Sequence, residues 1–399
     1  MQYHFEDHGE RTSALTGLKR LVIKIGTRLL MDVPGVHKRE RVRQLVAEVA
    51  ALRERGIEVI LVSSGAVGAG IAVLGTSRRP SDVPNLQAHA AVGQCRLMYL
   101  YESACVEHGF HCGQLLLTAD DLQSNRERHL NVANCMGQLL RSGVLPVINE
   151  NDSVSVDEIR VGDNDLLAAL VATMVRADMT ILLTTVDGMY RPSDDGGEQP
   201  RLSVVSEVDE SVLAMAADTD GNPFSVGGMK TKLRAAQIVT SAGEPLWIAD
   251  GTDFSILRGI LAGEDTGTLF TPRRAERMHG HKRFLAFFSE PSGVIVVDAG
   301  AARAVCQQGR SLLPGGIVDC QGEFRRGDTV KIVGPGGEEL ARGVTHYGNE
   351  EVARIRGVNS SEISSLLGED ASFAEVVHRD YLVVLWRETQ KADDRSHMP

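Results

Sequence analysis

The run NENDSVSVDEIRVGDND, residues 149–165, concentrates side chains that could do chemistry. It holds six acidic residues against one basic residue, and it directly follows the apolar segment GVLPVI, which predicts a buried strand. A helix that begins near 164 would explain Asp163 as an N-cap and Asp165 as an acid in the first turn. That explanation does not cover Asn149 and Asp152 at the strand end. We therefore interpret these two side chains as candidates for binding a polar ligand.

Two lysine-bearing segments could hold an anion. In VIKIGTRLL, residues 22–30, Lys24 lies inside an apolar strand, where an ammonium group is costly unless it reaches an anion, a cavity or water. In SVGGMKTKL, residues 225–233, paired glycines precede a helix that carries Lys230 and Lys232. Taken singly, each feature is explained about as well without a bound anion. Lys24 could lie on an edge strand and reach water, and Lys230 and Lys232 could be solvated side chains at a helix start.

A third segment, SSGAVGAG at 63–70, places small residues after an apolar strand. These residues permit a tight turn in which Ser64 and several backbone N–H groups face a ligand at a helix start. A glycine turn that serves packing alone is the alternative. The chain has neither a Walker A pattern nor GxGxxG, so neither of these nucleotide-binding fingerprints is supported.

Apolar strand patterns alternate with amphipathic helix patterns from residue 20 to about 250, and the alternation predicts how the segments meet. Near-continuous Val, Ile and Leu strands separated by helices are typical of an α/β fold with a mostly parallel sheet covered on both faces. Ligands bind at the carboxyl ends of such strands, where these segments fall. The predicted strands are 21–26, 58–65, 114–118, 144–149, 180–185 and 245–249, and the predicted helices are 39–55, 85–108, 126–142, 164–176 and 229–242.

The pattern changes near residue 272 and predicts a second, smaller domain. PRRAERMHGHKR is polar and basic, as in a linker, and the runs beyond it are short, β-like and separated by Gly, Pro and Asp turns, as in a small barrel. The predicted division is an N-terminal tail at 1–17, an α/β domain at 18–272, a linker at 273–285, a small β domain at 286–378 and a C-terminal tail at 379–399.

The composition excludes some classes of function. A net charge of −11 argues against a general nucleic-acid binder, which needs basic surface. No apolar run reaches about 18 residues, so no membrane-spanning helix is expected. The N-terminal sequence MQYHFEDHGERTSALTG lacks the apolar core of a signal peptide, and the six cysteines form no CxxC pair. We expect a cytoplasmic protein with free thiols.

Together these segments resemble the glutamate 5-kinases, a branch of the amino-acid kinase family. The resemblance extends from about Leu18 to about Arg379 and includes VIKIGT, VSSGAVGAG, AAVGQCRLM, QLLLT, VLPVINENDSVSVDEIRVGDND, LLTTVDGMY, GGMKTKLRAA and GRSLLPGGI. The pairing of INEND with VGDND, together with GGMxTK, is highly specific. The C-terminal part resembles the PUA domain that many of these kinases carry.

The resemblance implies an αβα sandwich around a largely parallel sheet, followed by a small β-barrel-like PUA domain. It implies ATP-dependent phosphorylation of the γ-carboxylate of L-glutamate, assisted by Mg²⁺, as the first step of proline biosynthesis. Lys24 and Lys232 would contact the transferring phosphoryl group, because cations offset the repulsion between a carboxylate and a polyphosphate. Asp163 and Asp165 would orient these lysines or the metal ion, whose ligands the sequence does not identify.

The same resemblance implies two sets of binding residues. Asp152 would bind the α-ammonium of glutamate and Asn164 its α-carboxylate, with help from Asn149. Ser64 would hold glutamate or the γ-phosphate. The residues that would contact ATP are Lys24, Thr184, Thr185, Val226, Gly227, Gly228, Met229, Lys230, Thr231 and Lys232.

Two positions depart from the usual sequence of the family. The chain has LLTT where LLTD is usual, so Thr185 replaces an acid, and FSVGGM where GTGGM is usual, so Val226 replaces a threonine. Both departures lie on the nucleotide side and bear on ATP binding. Arg160 occupies a position that is usually basic in the family and would assist with phosphate.

The resemblance also implies feedback inhibition by proline, a homo-dimer or tetramer, and a downstream reductase that takes the labile acyl phosphate. One alternative is another amino-acid kinase that acts on acetylglutamate, aspartate, carbamate or a uridylate; the acids of NEND and GDND favour a substrate with a free ammonium. A second alternative is RNA binding through the C-terminal domain. The net charge of −5 between Ala286 and His378 disfavours it and favours a role in association or regulation.

Overall fold

The computed structural model describes residues 3–4, 8–30, 38–123, 126–154, 164–191, 200–215, 228–272, 277–368 and 373–385. The chain divides into two compact units, Met1–Arg277 and Met278–Pro399. Within the described ranges, no helix is both long enough and apolar enough to cross a membrane.

A nine-stranded sheet forms the centre of the first unit. Its strands are β1 (Tyr3–His4), β2 (Arg20–Ile25), β3 (Glu58–Ser63), β4 (Cys112–Leu117), β5 (Leu145–Glu150), β6 (Met179–Thr184), β7 (Val204–Val205), β8 (Leu246–Asp250) and β9 (Thr268–Phe270). They lie in the order β1-β7-β9-β8-β6-β2-β3-β5-β4. Only β1 with β7 and β8 with β9 pair antiparallel; the other neighbours in that order are parallel. The predicted αβα sandwich around a largely parallel sheet is confirmed.

Helices pack on both faces of this sheet. They are α1 (His8–Leu15), α2 (Lys38–Glu54), α3 (Ala66–Leu74), α4 (Val83–Glu107), α5 (Ala119–Gln123), α6 (Arg126–Arg141), α7 (Asn164–Val175), α8 (Glu210–Met215), α9 (Met229–Ser241) and α10 (Ile256–Leu261), with a 3-10 turn at Thr27–Leu30. Ile23 and Ile25 of β2 join the apolar core formed with α2 and α4. Lys24, between them, contacts α7 on the opposite face, as the alternation of a strand requires.

Helices α3 and α4 approach each other closely because glycines lie at their contact. A Cβ at Gly93 would lie 1.8 Å from the carbonyl oxygen of Ala66, and a Cβ at Gly70 would lie 1.9 Å from that of His89. The predicted turn of segment 63–70 is confined to Gly65, and a helix begins at the next residue. Packing against α4 outweighs the helix-propensity cost of glycine, which is about 1 kcal/mol per residue.

The described residues of segment 1–17, which the sequence assigns to a tail, form the strand β1 and the helix α1. Strand β1 pairs with β7, and α1 carries the fully buried Arg11. The Arg11 guanidinium donates to Ser203 and to three carbonyl oxygens of residues 264–267, and it pairs with Asp265 at 2.8 Å. The tail prediction is wrong because the buried Arg11 cation holds α1 in place through hydrogen bonds to distant loop carbonyls. Such a contact gives no apolar pattern in the sequence, so the helix was not predicted.

The second unit is a small β domain with a mixed five-stranded sheet. Its strands are β10 (Gly293–Val297), β11 (Ile317–Gly322), β12 (Thr329–Val333), β13 (Glu339–Thr345) and β14 (Val377–Val384), and its helices are α11 (Gly280–Arg283), α12 (Ala299–Cys306), α13 (Asn349–Ile355) and α14 (Ile363–Leu367). The order is β11-β10-β12-β13-β14, with β10 and β12 parallel and the other pairs antiparallel. Short turns lie at Pro314–Gly316 and Ser360–Glu362, and a π-helical turn at Phe284–Phe288.

The observed elements differ from the prediction at both boundaries of this domain. The C-terminal tail cannot begin at 379, because β14 continues to Val384 and its residues 382–384 pair with β13. The second half of the segment 273–285, assigned to a linker, is helical, and Leu285 is buried. Polar residues at the strand edge and in the short helix hid these elements in the sequence pattern.

Candidate active site

The carboxyl ends of the central strands bring the candidate residues to one edge of the sheet. Parallel pairing sets Lys24 of β2 level with Val62 of β3 and Leu182 of β6. Ser64 directly follows β3, and Asn149 lies one residue from the end of β5. The prediction that these segments meet at one edge therefore agrees with the strand register.

Asp165 is the centre of a buried ion cluster. Its carboxylate lies 2.6 Å from Lys24 Nζ through Oδ1 and 3.1 Å from Lys232 Nζ through Oδ2. The Thr231 hydroxyl donates to the same Oδ2 at 2.9 Å. Asp165 is 1% exposed, and Lys24 and Lys232 are 6% and 5% exposed. Three elements, β2, α7 and α9, thus converge on one carboxylate, which fixes the position of both ammonium groups.

The ion cluster has more positive than negative charge. Burial alone would raise the pKa of the Asp165 carboxyl, but the Lys24 and Lys232 ammonium groups outweigh burial and hold that pKa at about 2. One carboxylate therefore stays ionised between the two ammonium groups. An anionic ligand that reaches these ammonium groups would be attracted strongly, because the low dielectric of the site strengthens the attraction.

Next to the ion cluster, an amide cluster joins four elements, α4, α7, β5 and the end of β3. The Asn164 amide at the start of α7 donates through Nδ2 to the Ser64 hydroxyl at 2.8 Å, to the Ser63 carbonyl at 3.0 Å and to Asn149 Oδ1 at 3.0 Å. Asn149 in turn donates through Nδ2 to Gln94 Oε1 at 2.9 Å. The structure thus brings together the predicted residues Ser64, Asn149 and Asn164, and it adds Gln94, which the sequence did not single out.

Two helix N-termini contribute backbone donors at this edge. Helix α3 begins directly after Gly65, whose φ of 100° is favourable only for glycine, and helix α9 begins directly after Gly228. The first N–H groups of a helix have no partner within it and favour anions. Ser64 therefore lies beside the donor end of α3, and the ammonium of Lys232 lies on the first turn of α9.

Asp152 lies just beyond β5 and is partly buried. Burial raises the pKa of its carboxyl to about 6, and the positive charge of Arg79 opposes that rise. A carboxylate that is poorly solvated gains more than an exposed one from a cationic partner. Asp152 is thus suited to hold an ammonium group.

A pH dependence follows from the raised pKa of Asp152. The free enzyme carries a neutral Asp152 below about pH 6 and an ionised one above it. We expect kcat/KM for an ammonium-bearing substrate to rise with pH through an inflection near 6, because this parameter reports groups of the free enzyme. A pH profile of kcat/KM in wild type and Asp152→Asn measures it. The variant should lack the inflection; an inflection of equal size in both proteins would assign it to another group.

Several predicted nucleotide residues have defined positions. Thr184 ends β6 and is partly buried, whereas Thr185 and Lys230 are exposed. Gly228 and Met229 form the start of α9. The predicted residues Asp163, Val226 and Gly227, and Arg160 with them, lie outside the described residues.

The described residues do not form a protein site for Mg²⁺. Both oxygens of Asp165 are paired with lysine, and no group of three or more His, Cys, Asp or Glu side chains in the described ranges could hold a metal ion. Mg²⁺ is commonly bound through substrate phosphates together with one or two carboxylates. We therefore treat this ion as part of the nucleotide and assign it no protein ligand.

Comparison with known proteins decides the family. Residues 19–250 match the amino acid kinase family and residues 293–367 match the PUA domain. A glutamate 5-kinase from Moorella thermoacetica is 45% identical over 376 residues, which are 93% of this chain and 98% of that protein. The chain belongs to the glutamate 5-kinases of the amino-acid kinase family. The predicted resemblance and the predicted PUA domain are confirmed.

A second curated relative agrees with this assignment. A glutamate 5-kinase from Pseudomonas putida is 45% identical over 374 residues, 94% of this chain and the full length of that protein. Among solved structures, a carbamate kinase from Giardia lamblia bound to AMP-PNP has a TM-score of 0.44 and 19% identity, covering 64% of this chain and 99% of that chain.

Proposed function

We propose that the protein catalyses ATP-dependent phosphorylation of the γ-carboxylate of L-glutamate, giving L-glutamate 5-phosphate in the first step of proline biosynthesis. One observation carries the proposal: the Lys24–Asp165–Lys232 cluster adjoins the amide cluster of Asn149 and Asn164. This arrangement supports a phosphoryl-group site beside a site for a small polar substrate. Membership of the glutamate 5-kinases supports the choice of substrate.

The two lysines suit the chemistry of phosphoryl transfer to a carboxylate. The nucleophile is already an anion, so no strong base is needed; the barrier comes from bringing two anions together. Lys24 and Lys232, held 2.6 Å and 3.1 Å from Asp165, would offset this repulsion and the charge on the transferring group. Asp165 would act by keeping both ammonium groups in place before the substrates bind.

The amide cluster suggests a revised assignment for Asn164. Its Nδ2 group already donates to Ser63, Ser64 and Asn149, and among the described residues its buried Oδ1 has no hydrogen-bond partner. An amide oxygen accepts and so matches the α-ammonium rather than the α-carboxylate that the resemblance implied. We assign Asn164 and Asp152 to the ammonium. The α-carboxylate would bind the N–H groups at the start of α3 and the Ser64 hydroxyl.

The ATP-binding residues are proposed on the resemblance and on their position. Thr184, Thr185, Gly228, Met229 and Lys230 lie at the ends of β6 and at the start of α9, on the same edge as Lys232. We reassign Thr231 from ATP binding to the support of Asp165. Its hydroxyl makes hydrogen bonds with the Asp165 carboxylate and the Gly228 carbonyl. Mg²⁺ would accompany the nucleotide phosphates.

Several consequences of the family assignment stay predictions. Feedback inhibition by proline, a homo-dimer or tetramer, a downstream reductase and a cytoplasmic location rest on the resemblance and on the sequence. RNA binding through the PUA domain is not favoured, since the net charge of −5 between Ala286 and His378 opposes contact with a phosphate backbone.

A substrate panel tests the proposed reaction. Purified protein is given Mg-ATP with L-glutamate, N-acetylglutamate, aspartate, carbamate or UMP, and ADP release is followed. We expect glutamate to support turnover and N-acetylglutamate to fail, because acetylation removes the charge that Asp152 would pair with. Turnover of N-acetylglutamate without turnover of glutamate would overturn the proposal.

A further inference from the structure

Gln94 is a polar residue on the buried side of α4. It is 8% exposed, and its helical neighbours Ala90, Leu97 and Tyr101 are buried in the protein. A glutamine in such a position is uncommon, because burying an amide costs free energy unless its hydrogen bonds are made. Its place beside Asn149 calls for an explanation in terms of the amide cluster.

Backbone groups fix the orientation of every amide in this cluster. The Glu150 backbone N–H, which can only donate, donates to Asn149 Oδ1 at 2.9 Å. Asn149 Nδ2 must therefore be the atom that faces Gln94, and it donates to Gln94 Oε1 at 2.9 Å. The Ser63 carbonyl, which can only accept, independently fixes Asn164 Nδ2 at 3.0 Å. The order of donors and acceptors thus follows from the main chain.

We propose that Gln94 is a positioning residue for the substrate site, and this inference rests on the proposed function. By accepting from Asn149 Nδ2, Gln94 holds the second end of the Asn149 amide in the orientation that the Glu150 N–H sets. Asn149 Oδ1 then anchors Asn164 Nδ2. The result is that Asn164 Oδ1 faces away from these donors, as an acceptor ready for the substrate ammonium. Without the Gln94 acceptor, the Asn149 amide keeps its contact with Glu150 but loses the hydrogen bond that fixes its Nδ2 end.

The other end of Gln94 argues against a role in stability. Its Nε2 group is buried and has no hydrogen-bond partner among the residues that the structure describes. An unpartnered buried donor is destabilising, so an apolar side chain of similar length would remove that cost, which offsets the loss of the Oε1 acceptor to Asn149. Glutamine is thus expected to serve the site rather than the core of α4.

Kinetics of Gln94→Met, which removes the acceptor and keeps the length, tests this inference. We expect the glutamate KM to rise about tenfold, as for the loss of one orienting hydrogen bond, while the ATP KM changes less than about twofold. The midpoint of urea unfolding should change little, because the substitution removes one unpartnered buried donor, Gln94 Nε2, and leaves another, Asn149 Nδ2. Gln138→Met on the exposed side of α6 is the matched control and should leave all three quantities unchanged. Gln94→Leu repeats the test should the methionine variant not fold.

A double-mutant cycle separates positioning from simple packing. If Gln94 acts through Asn149, the Gln94→Met and Asn149→Ala double variant should have a glutamate KM within about twofold of Asn149→Ala alone. Two results would overturn the inference and leave the proposed function intact, provided that the wild type turns over glutamate. One is that the effects of the two substitutions on the glutamate KM multiply, and the other is an unchanged glutamate KM in Gln94→Met. A wild type that releases no ADP with glutamate would overturn the proposed function and this inference with it.

Discussion

Replacing Lys232 by methionine is expected to lower kcat by roughly 10²–10³-fold, the effect of removing one preorganised group that stabilises transition-state charge. Lys232 is buried, and Asp165 holds its ammonium in place at 3.1 Å. Neither water nor a neighbouring side chain can replace it at that point without displacing the cluster. Glutamate is proposed to bind on the amide side, so its KM should change little. Steady-state kinetics with each substrate varied in turn measures both parameters.

Lys19→Met is the matched control for this variant. Lys19 is exposed and precedes β2, so it lies at the amino edge of the sheet. The ion cluster lies near the carboxyl edge, where β2 carries Lys24. Its loss removes one positive charge from the same unit without touching the ion cluster, so kcat should stay at the wild-type value. A Lys232→Met enzyme with wild-type kcat would remove the lysine from the proposed mechanism, and an equal loss in both variants would indicate a general charge effect.

Replacing Asp165 by asparagine is expected to damage both the fold and the reaction. The substitution removes the carboxylate that pairs with both buried ammonium groups, and breaking a buried ion pair costs about 3–5 kcal/mol. The Asp165 carboxyl has a native pKa of about 2, below the unfolded value of about 3.9, so its stabilisation is present above about pH 4 and is lost as pH falls toward 2. Urea unfolding near neutral pH measures the loss. We also expect kcat to fall by about 10²-fold as the lysines lose their fixed positions.

Nucleotide should partly restore the stability of Asp165→Asn. The phosphates of a non-hydrolysable ATP analogue would supply negative charge in place of the Asp165 carboxylate, so the analogue should stabilise the variant more than the wild type. Asp178→Asn is the control: Asp178 pairs with Arg277 at 2.8 Å at the opposite edge of the sheet and should affect stability alone. An Asp165→Asn protein as stable and as active as wild type would contradict the role of the ion cluster.

Much of the fold was predictable because the central strands carry an unambiguous signal. Strands buried on both faces must be apolar throughout, and the predicted segments 21–26, 58–65 and 180–185 correspond to β2, β3 and β6. Parallel strands share a carboxyl edge, so the sequence alone predicts that Lys24 and Ser64 lie near the same edge of the sheet. The predicted helix at 164–176 likewise corresponds to α7.

What the sequence did not predict depends on contacts between distant residues. Arg11 is satisfied by loop carbonyls more than 250 positions away, and Gly70 is required only because α4 crosses α3 at Gly93. Gln94 lies in a motif that carried the family resemblance, but its role depends on Asn149, 55 positions away. A polar residue within an apolar helical stripe was the available signal for Gln94. The role of the amide oxygen of Asn164 could be assigned only once its three nitrogen contacts were known.

The most direct test of glutamate phosphorylation is detection of the acyl phosphate itself. Wild-type protein is incubated with Mg-ATP, L-glutamate and hydroxylamine, which converts an acyl phosphate to a hydroxamate, and the product is identified by mass spectrometry. We expect glutamyl hydroxamate carrying the modification on the side-chain carbonyl, formed only when ATP and glutamate are both present and reduced to background in Lys232→Met. ADP release from wild-type protein without hydroxamate would show that the phosphoryl group goes elsewhere and would contradict the proposed function.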